Sequence, residues 1–291
     1  MIDRTTLSEH MKYSCVGKCV YKVFVLTFFL SSDATRAWAP LISDAVHDRM
    51  ISMHIEKKYL VQVGLLCLIV VGIWWPGGSP TDTLYQASTL HELFEGNYEG
   101  RFSYGDIAAN GDFGLGTFEG LDGEMVMLEG IIYHVRADGT VLERSGDALT
   151  PFAQVTRFDT DITARYENVG IDELNATITS LIPDRSLIYA VRIDGTFPSM
   201  EVRSIARQDL PYRPLDEALE EQVVFTLEDV RGTIVGFWMP PSMDGPNAAG
   251  YHLHFITDDR SAGGHVLSFR AGAVDVALDE TYDVRLALAG E

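Results

Sequence analysis

From residue 81 onward apolar and polar side chains alternate with a period of two in many short runs, which is the pattern of half-buried β-strands. Glu124-Met125-Val126-Met127-Leu128-Glu129 and Ile131-Ile132-Tyr133-His134-Val135 flank Gly130, so two strands joined by a glycine turn are predicted there. Further strands are predicted at 151–158, 187–194, 200–206, 222–228, 232–238 and 281–288. Helical spacing is rarer. Thr83 to Glu95, with Leu84, Leu90, Leu93 and Phe94 apolar, predicts a short helix ended by Gly96-Asn97-Tyr98-Glu99-Gly100, and two more helices are predicted at 171–180 and 215–221. Strands outnumber helices and no βαβ alternation is visible. The expected class is therefore α+β and β-rich, with mixed or antiparallel sheets in two subdomains and few short helices. The irregular stretch Gln208-Asp209-Leu210-Pro211-Tyr212-Arg213-Pro214-Leu215 sets the expected subdomains at about 81–207 and 208–291.

The pattern changes before residue 81. Met53-His54-Ile55-Glu56-Lys57-Lys58 precedes an uncharged run from Tyr59 to Trp75, which ends at Pro76-Gly77-Gly78-Ser79-Pro80. A basic flank ahead of an apolar core is the layout of a secretory signal, and the flank stays on the cytoplasmic side. The run is longer than an h-region of about 7–15 residues and a little short of a span of about 20, and no clear A-x-A site follows it. Residues 53–80 are thus expected to be a signal peptide or signal anchor that engages the membrane during export. The mature chain would be secreted or held on the outer face. Residues 1–52 lack clear periodicity, and Val23 to Leu30 is too short to span. They are expected to be a non-native N-terminal extension or disordered, with translation starting at Met50 or Met53.

Charge divides the chain at the same place. The whole sequence carries a formal charge of −20, yet residues 1–80 hold eight Lys/Arg against six Asp/Glu, whereas 81–291 hold fourteen Arg, no Lys and thirty-six Asp/Glu. Such a surface repels phosphate backbones and anionic lipid heads, which excludes nucleic acid as a partner of the globular part. An anionic substrate would need a local positive centre, and a metal with a buried Arg supplies one. All three cysteines, Cys15, Cys19 and Cys67, lie in the N-terminal part. The globular part therefore has no disulfide framework, thiolate nucleophile or thiolate ligand.

The strongest chemical signal is Gly250-Tyr251-His252-Leu253-His254-Phe255, followed by His265 after Gly263-Gly264. In a strand His252 and His254 share a face, and the polar, glycine-ended segment 257–264 predicts a hairpin that returns His265 towards them. Three imidazoles are the ligand set of a catalytic zinc, with one position left for water or substrate. A His-x-His pair also arises in strands by chance, but three imidazoles converging without a metal would repel one another on protonation. Glu124 heads an apolar strand, either as an edge residue in solvent or as a site carboxylate. Arg203, within Met200-Glu201-Val202-Arg203-Ser204-Ile205, is either half of a surface ion pair or part of the site. Thr117 and the glycines before it can bring backbone amides close to a ligand. His91 and His134 have no companions at ligand spacing and read as ordinary surface or core histidines.

Three stretches resemble the acetolactate decarboxylases: Leu84-Tyr85-Gln86-Ala87-Ser88; Gly111-Asp112-Phe113-Gly114-Leu115-Gly116-Thr117-Phe118 with Leu121-Asp122-Gly123-Glu124; and the run from Gly250 through His252, His254, Asp258, Asp259 and His265 to Leu267. The resemblance extends from about residue 83 to about 288. It implies that His252, His254 and His265 bind Zn2+ and that Glu124 and Arg203 are active-site residues. It also implies a homodimer and conversion of 2-acetolactate to acetoin and CO2, a step of acetoin and butanediol formation. On that footing zinc is the Lewis acid that stabilises an enediolate, Arg203 and Thr117 bind substrate, Glu124 delivers the proton, and no organic cofactor is needed. One departure is expected to matter. Family members continue into a C-terminal tail that returns an acidic residue to the active site, and this chain stops roughly twenty residues short of it, with Glu291 not assigned that role. Two alternatives follow. One is a cupin-like metal enzyme, whose motif wants a carboxylate soon after the histidine pair where Asp258 and Asp259 stand; the other is an inactive exported metal-binding module.

Overall fold

The computed structural model describes residues 82–288. The expectations for 1–52 and 53–80 lie outside the described residues. Among the described residues no helix is long and apolar enough to cross a membrane.

Strands are named in chain order. β1 (Thr83–Ala87), β3 (Phe113–Thr117), β4 (Glu124–Leu128), β5 (Ile131–Val135), β6 (Val141–Arg144), β8 (Ala153–Thr156) and β15 (Asp283–Ala287) make a seven-stranded sheet in the order β15-β1-β8-β3-β4-β5-β6. Its β1–β15 pair is parallel and its other pairs are antiparallel. β2 (Phe102–Ser103) and β7 (Leu149–Thr150) form a separate short pair. β9 (Ile162–Glu167), β10 (Ile188–Ser204), β11 (Val223–Met239), β12 (Gly250–Thr257), β13 (Gly263–Arg270) and β14 (Ala273–Thr281) make a six-stranded sheet ordered β11-β12-β13-β10-β14-β9. β11 also pairs with β10, so β10 to β13 close on themselves. The helices are α1 (Leu90–Phe94), α2 (Tyr104–Asn110), α3 (Ile171–Leu181) and α4 (Leu215–Leu219). The α+β, β-rich class holds.

Alternation explains the layering. Val126 and Leu128 of β4 point with Leu84 and Leu115 at the six-stranded sheet, where Ile188, Val235, Phe237 and Ile256 meet them. Each such side chain contributes ~1.5–3 kcal/mol by burial. On the outer face of the seven-stranded sheet Met125 and Met127 pack under Tyr104 and Ile107 of α2. On the far side of the six-stranded sheet Leu174 and Ile178 of α3 cover Met200, Val202 and Phe255.

Three sequence expectations are corrected. The helix expected from Thr83 begins only at Leu90, capped by Thr89, whose Oγ1 accepts the Glu92 amide at 3.2 Å. Thr83–Ala87 is a strand buried on both faces, and so short an apolar run carries no period that separates strand from helix. The segments 187–194 with 200–206, and 222–228 with 232–238, are single 17-residue strands. Pairing between β10 and β11 runs straight through the polar and glycine residues that interrupt the apolar pattern, and Phe197 in the middle of β10 is fully buried. Finally, 207/208 is not a boundary between the layers: β9 and β10 precede it yet belong to the six-stranded sheet, while β15 follows it yet belongs to the other. Layers are assembled by strand pairing between distant segments, which composition along the chain does not record.

Asp279 of β14 is fully buried, and the backbone of Asp159 only partly offsets what burial does to its carboxyl. Burial pushes its pKa from the usual 3.8 up to about 8, so the fold favours the protonated form. The stability this gives is complete below pH 3.8 and is lost as pH rises towards about 8, at ~1.4 kcal/mol per pH unit. Asp279→Asn is therefore expected to flatten the loss of stability between pH 5 and pH 8 and to raise the pH 8 unfolding midpoint. Urea unfolding of both proteins at the two pH values checks it, and an identical pH dependence would refute it.

Candidate active site

The six-stranded sheet sets the histidines in register. His254 of β12 stands opposite His265 of β13, and His265 stands opposite Arg203 of β10, so the three make one row across neighbouring strands. His252 lies two residues from His254 on the same face. The ring centroids of His252, His254 and His265 are 5.1–5.2 Å apart, and one ligand nitrogen from each lies within 4.8 Å of the others.

Their protonation follows from their surroundings. His254 Nδ1 is 2.8 Å from the Met125 carbonyl, which can only accept, so Nδ1 carries the hydrogen. Burial pushes the His254 pKa down to about 3, and the ring is neutral. Its Nε2 is thus a bare lone pair, 3.3 Å from His265 Nδ1 and 3.4 Å from Glu124 Oε2. Burial also lowers the pKa of His252, helped by His254 and Arg203, and that of His265, helped chiefly by Arg203. Three neutral imidazoles offering nitrogen to one point form a metal ligand set, and the Met125 carbonyl supplies the outer hydrogen bond that orients such a ligand.

The seven-stranded sheet brings the acid. Glu124 begins the inward row that Val126 and Leu128 continue, so it ends the inter-sheet layer facing the histidines. Glu124 is 7% exposed and Arg203 Nη1 donates to its Oε1 at 2.7 Å. The solvent-edge reading of Glu124 and the surface ion-pair reading of Arg203 are both ruled out by this burial. Burial raises the Glu124 pKa and Arg203 partly offsets the rise.

A tight turn presents Glu124. Gly123, at φ 76°, donates its amide to the Ile205 carbonyl at 2.9 Å, and its own carbonyl accepts from Thr117 Oγ1 at 2.6 Å. Thr117 lies opposite Glu124 and lines the pocket, but its one hydroxyl proton is committed to that turn. The glycines before it serve packing: a Cβ on Gly114 would lie 2.0 Å from the Gln154 carbonyl, and one on Gly116 2.5 Å from the Phe152 carbonyl. They admit β8 against β3. His134, 1% exposed, is a core histidine, and it braces the turn that precedes Glu124. Its Nε2 lies 2.5 Å from the Asp122 carbonyl, its ring packs 4.0 Å from Phe118, and burial lowers its pKa to about 4. Nothing local marks it, because the turn it braces lies two strands' length away. His91 is exposed on α1.

These groups line a cavity of about 230 Å³ whose other walls are apolar, among them Leu93, Phe152, Leu215, Leu219 and Tyr251. That is below the ~300–1,000 Å³ of drug-sized sites and suits a small metabolite. The carboxylates required by a cupin-like site are elsewhere. Asp258 pairs with Arg231 at 3.1 Å, and Asp259 accepts from Thr257 and Ser261 within its own turn.

Apolar walls surround a single polar end, where an acid, a cation and a nitrogen triad meet. The sequence model of alpha-acetolactate decarboxylase matches residues 84–291. The chain belongs to the alpha-acetolactate decarboxylase family and is a carboxy-lyase. It is 46% identical over 202 residues to the alpha-acetolactate decarboxylase of Methanosarcina mazei, covering 69% of this chain and 70% of that one. With the alpha-acetolactate decarboxylase of Bacillus subtilis it shares 38% identity over 210 residues, covering 72% and 82%. The crystal structure of alpha-acetolactate decarboxylase from Bacillus subtilis strain 168 superposes with a TM-score of 0.71, covering 72% of this chain and 90% of that one.

Proposed function

We propose that this decarboxylase converts 2-acetolactate to acetoin and CO2 with a zinc ion held by His252, His254 and His265. The observation that carries the proposal is the convergence of three neutral imidazoles, His254 buried and His252 and His265 partly buried, beside the Glu124–Arg203 pair. The His254 tautomer fits a metal ligand, since its hydrogen is on the Met125 side and its lone pair is on the site side. Bound there, zinc supplies a Lewis acid for the substrate's ketone.

The remaining steps belong to the chain's own residues. Arg203 gives one N–H to Glu124 and keeps others for the substrate's carboxylate or hydroxyl, which fixes the anion by charge-assisted hydrogen bonds. The C–C bond to the carboxylate breaks, CO2 leaves, and the electron pair moves towards the neighbouring ketone oxygen. A proton must then reach the carbon that lost CO2. Glu124, whose burial favours the protonated form, is placed to hold and deliver it from one face. Thr117 holds the turn and can offer substrate an acceptor lone pair. The apolar walls exclude water and receive the methyl groups. We further propose that the enzyme is exported by way of residues 53–80, and that it is a homodimer, supported by β15, the outermost strand of its sheet among the described residues, where Val284 and Leu286 are exposed.

Incubating the purified chain with racemic 2-acetolactate, before and after chelation and with zinc restored, tests the central claim. Acetoin formation that disappears on chelation and returns with zinc is the expected result. A chain that binds zinc and forms no acetoin would instead support the metal-binding module.

A further inference from the structure

We infer that Gln86 is a positioning residue for the substrate pocket, acting through the loop 244–249 that leads into β12. The side chain of Gln86 is 1% exposed and every hydrogen-bonding site on its amide is used. Nε2 donates to the Ser88 and Pro246 carbonyls, both at 2.9 Å. Oε1 accepts from Gln154 Nε2 at 3.1 Å and from Asn247 Nδ2 at 3.0 Å. Gln154 is its direct partner across the β1–β8 pair, so the acceptor end is held by the sheet itself.

The loop's own backbone bonds are short-range, with the Asn247 amide donating to the Met243 carbonyl at 2.9 Å and the Gly245 amide to the Asn247 carbonyl at 3.0 Å. Within 244–249 Asn247 is the one buried residue, at 2% exposure, and its side-chain donor goes to Gln86. Burial of apolar surface therefore contributes little to fixing this segment, and the Gln86 amide supplies two of the hydrogen bonds that tie it to the seven-stranded sheet. The Pro246 carbonyl accepts a second bond from the Leu90 amide at 2.9 Å, so the start of α1 is tied to the same point. Leu90 and Ala248 both line the substrate cavity. Gln86 thus sets the spacing between two pieces of the pocket wall that come from segments more than a hundred residues apart.

The metal-type triad does not depend on this amide. His254 and His265 face each other on paired strands, and His252 is two residues along the same ladder. Loosening the wall should change how substrate is held while leaving the ligands and the proton donor in place. The kinetic part of the test rests on the decarboxylase reading; amide exchange of the loop does not.

In the full chain, Gln86→Met keeps the volume and removes all four hydrogen bonds. KM for 2-acetolactate is expected to rise about tenfold, with kcat within about twofold and zinc content unchanged, because uniform binding is lost rather than transition-state stabilisation. Amide exchange in 244–249 is expected to quicken about tenfold while 252–256 keeps its protection. Asn247→Ala, which acts from the loop side, is expected to move KM and loop exchange in the same direction and decides the matter if Gln86→Met does not fold. Unchanged KM with unchanged loop exchange would overturn the inference, and so would a loss of zinc that parallels the loss of activity. A wild-type chain that makes no acetoin counts against the proposed function alone, and loop exchange then decides for or against Gln86.

Discussion

His254→Ala is expected to lose the bound zinc and to lower acetoin formation by ~10³-fold or more, since Lewis-acid stabilisation amounts to several kcal/mol. His254 is the most buried of the three proposed ligands, at 1% exposure, and is the one whose ring is held by a backbone carbonyl of the opposite sheet. Deleting it removes a ligand nitrogen and also leaves the Met125 carbonyl without its donor, at a cost of about 1–3 kcal/mol in stability. Zinc content, turnover and the unfolding midpoint should therefore fall together. Zinc analysis and acetoin assays on the purified variant measure this. Full zinc occupancy with wild-type turnover would exclude His254 from the metal site.

Glu124→Gln separates proton delivery from charge pairing. Glutamine keeps the length of the side chain and can still accept from Arg203, but it cannot pass a proton to carbon. A fall in kcat of ~10²–10⁴-fold with zinc retained is expected. Glu124→Ala has a different signature, because it strands the Arg203 guanidinium in a site where that side chain is only 14% exposed. Breaking a buried pair from one side costs about 3–5 kcal/mol, so this variant should lose stability as well as activity. Comparing the two by acetoin assay and urea unfolding distinguishes a proton donor from a structural ion pair. A Gln variant with near-normal kcat would remove Glu124 from the chemistry.

Both variants act at a junction between sheets, which explains why one half of the site was readable and the other was not. The histidine triad spans only residues 252–265, within one hairpin. Alternation along a strand and a short turn are local rules, so the sequence was enough to place His252, His254 and His265 together. The acid and the cation were different. Glu124 and Arg203 are 79 residues apart, and taken alone each fitted an exposed surface position as well as a buried one. The resemblance to the family assigned them to the site, and their contact appears only when β4 of one sheet meets β10 of the other.

Similar reasoning covers the misread elements. Gln86 and its neighbours lie in a run whose apolar residues fit a helical period, and it is a strand because β8 and β15 flank it. The long β10 and β11 are interrupted in sequence by polar and glycine residues, across which the pairing of the two strands nevertheless continues. His134 is the core histidine its isolation in the sequence suggested, and only the fold shows that its partner is the Asp122 carbonyl.

By itself the sequence determined the β-rich class, the face on which the three histidines lie, the helix at 171–181 to within a residue, and the acidic charge of the globular part, because each depends on neighbours within a few residues or on composition. Tertiary structure alone decided which strands share a sheet, the tautomer of His254, the burial of the Glu124–Arg203 pair and the anchoring of the pocket wall by Gln86. Those depend on register between segments that only chain closure brings together, and on the loss of water that follows when the two sheets pack.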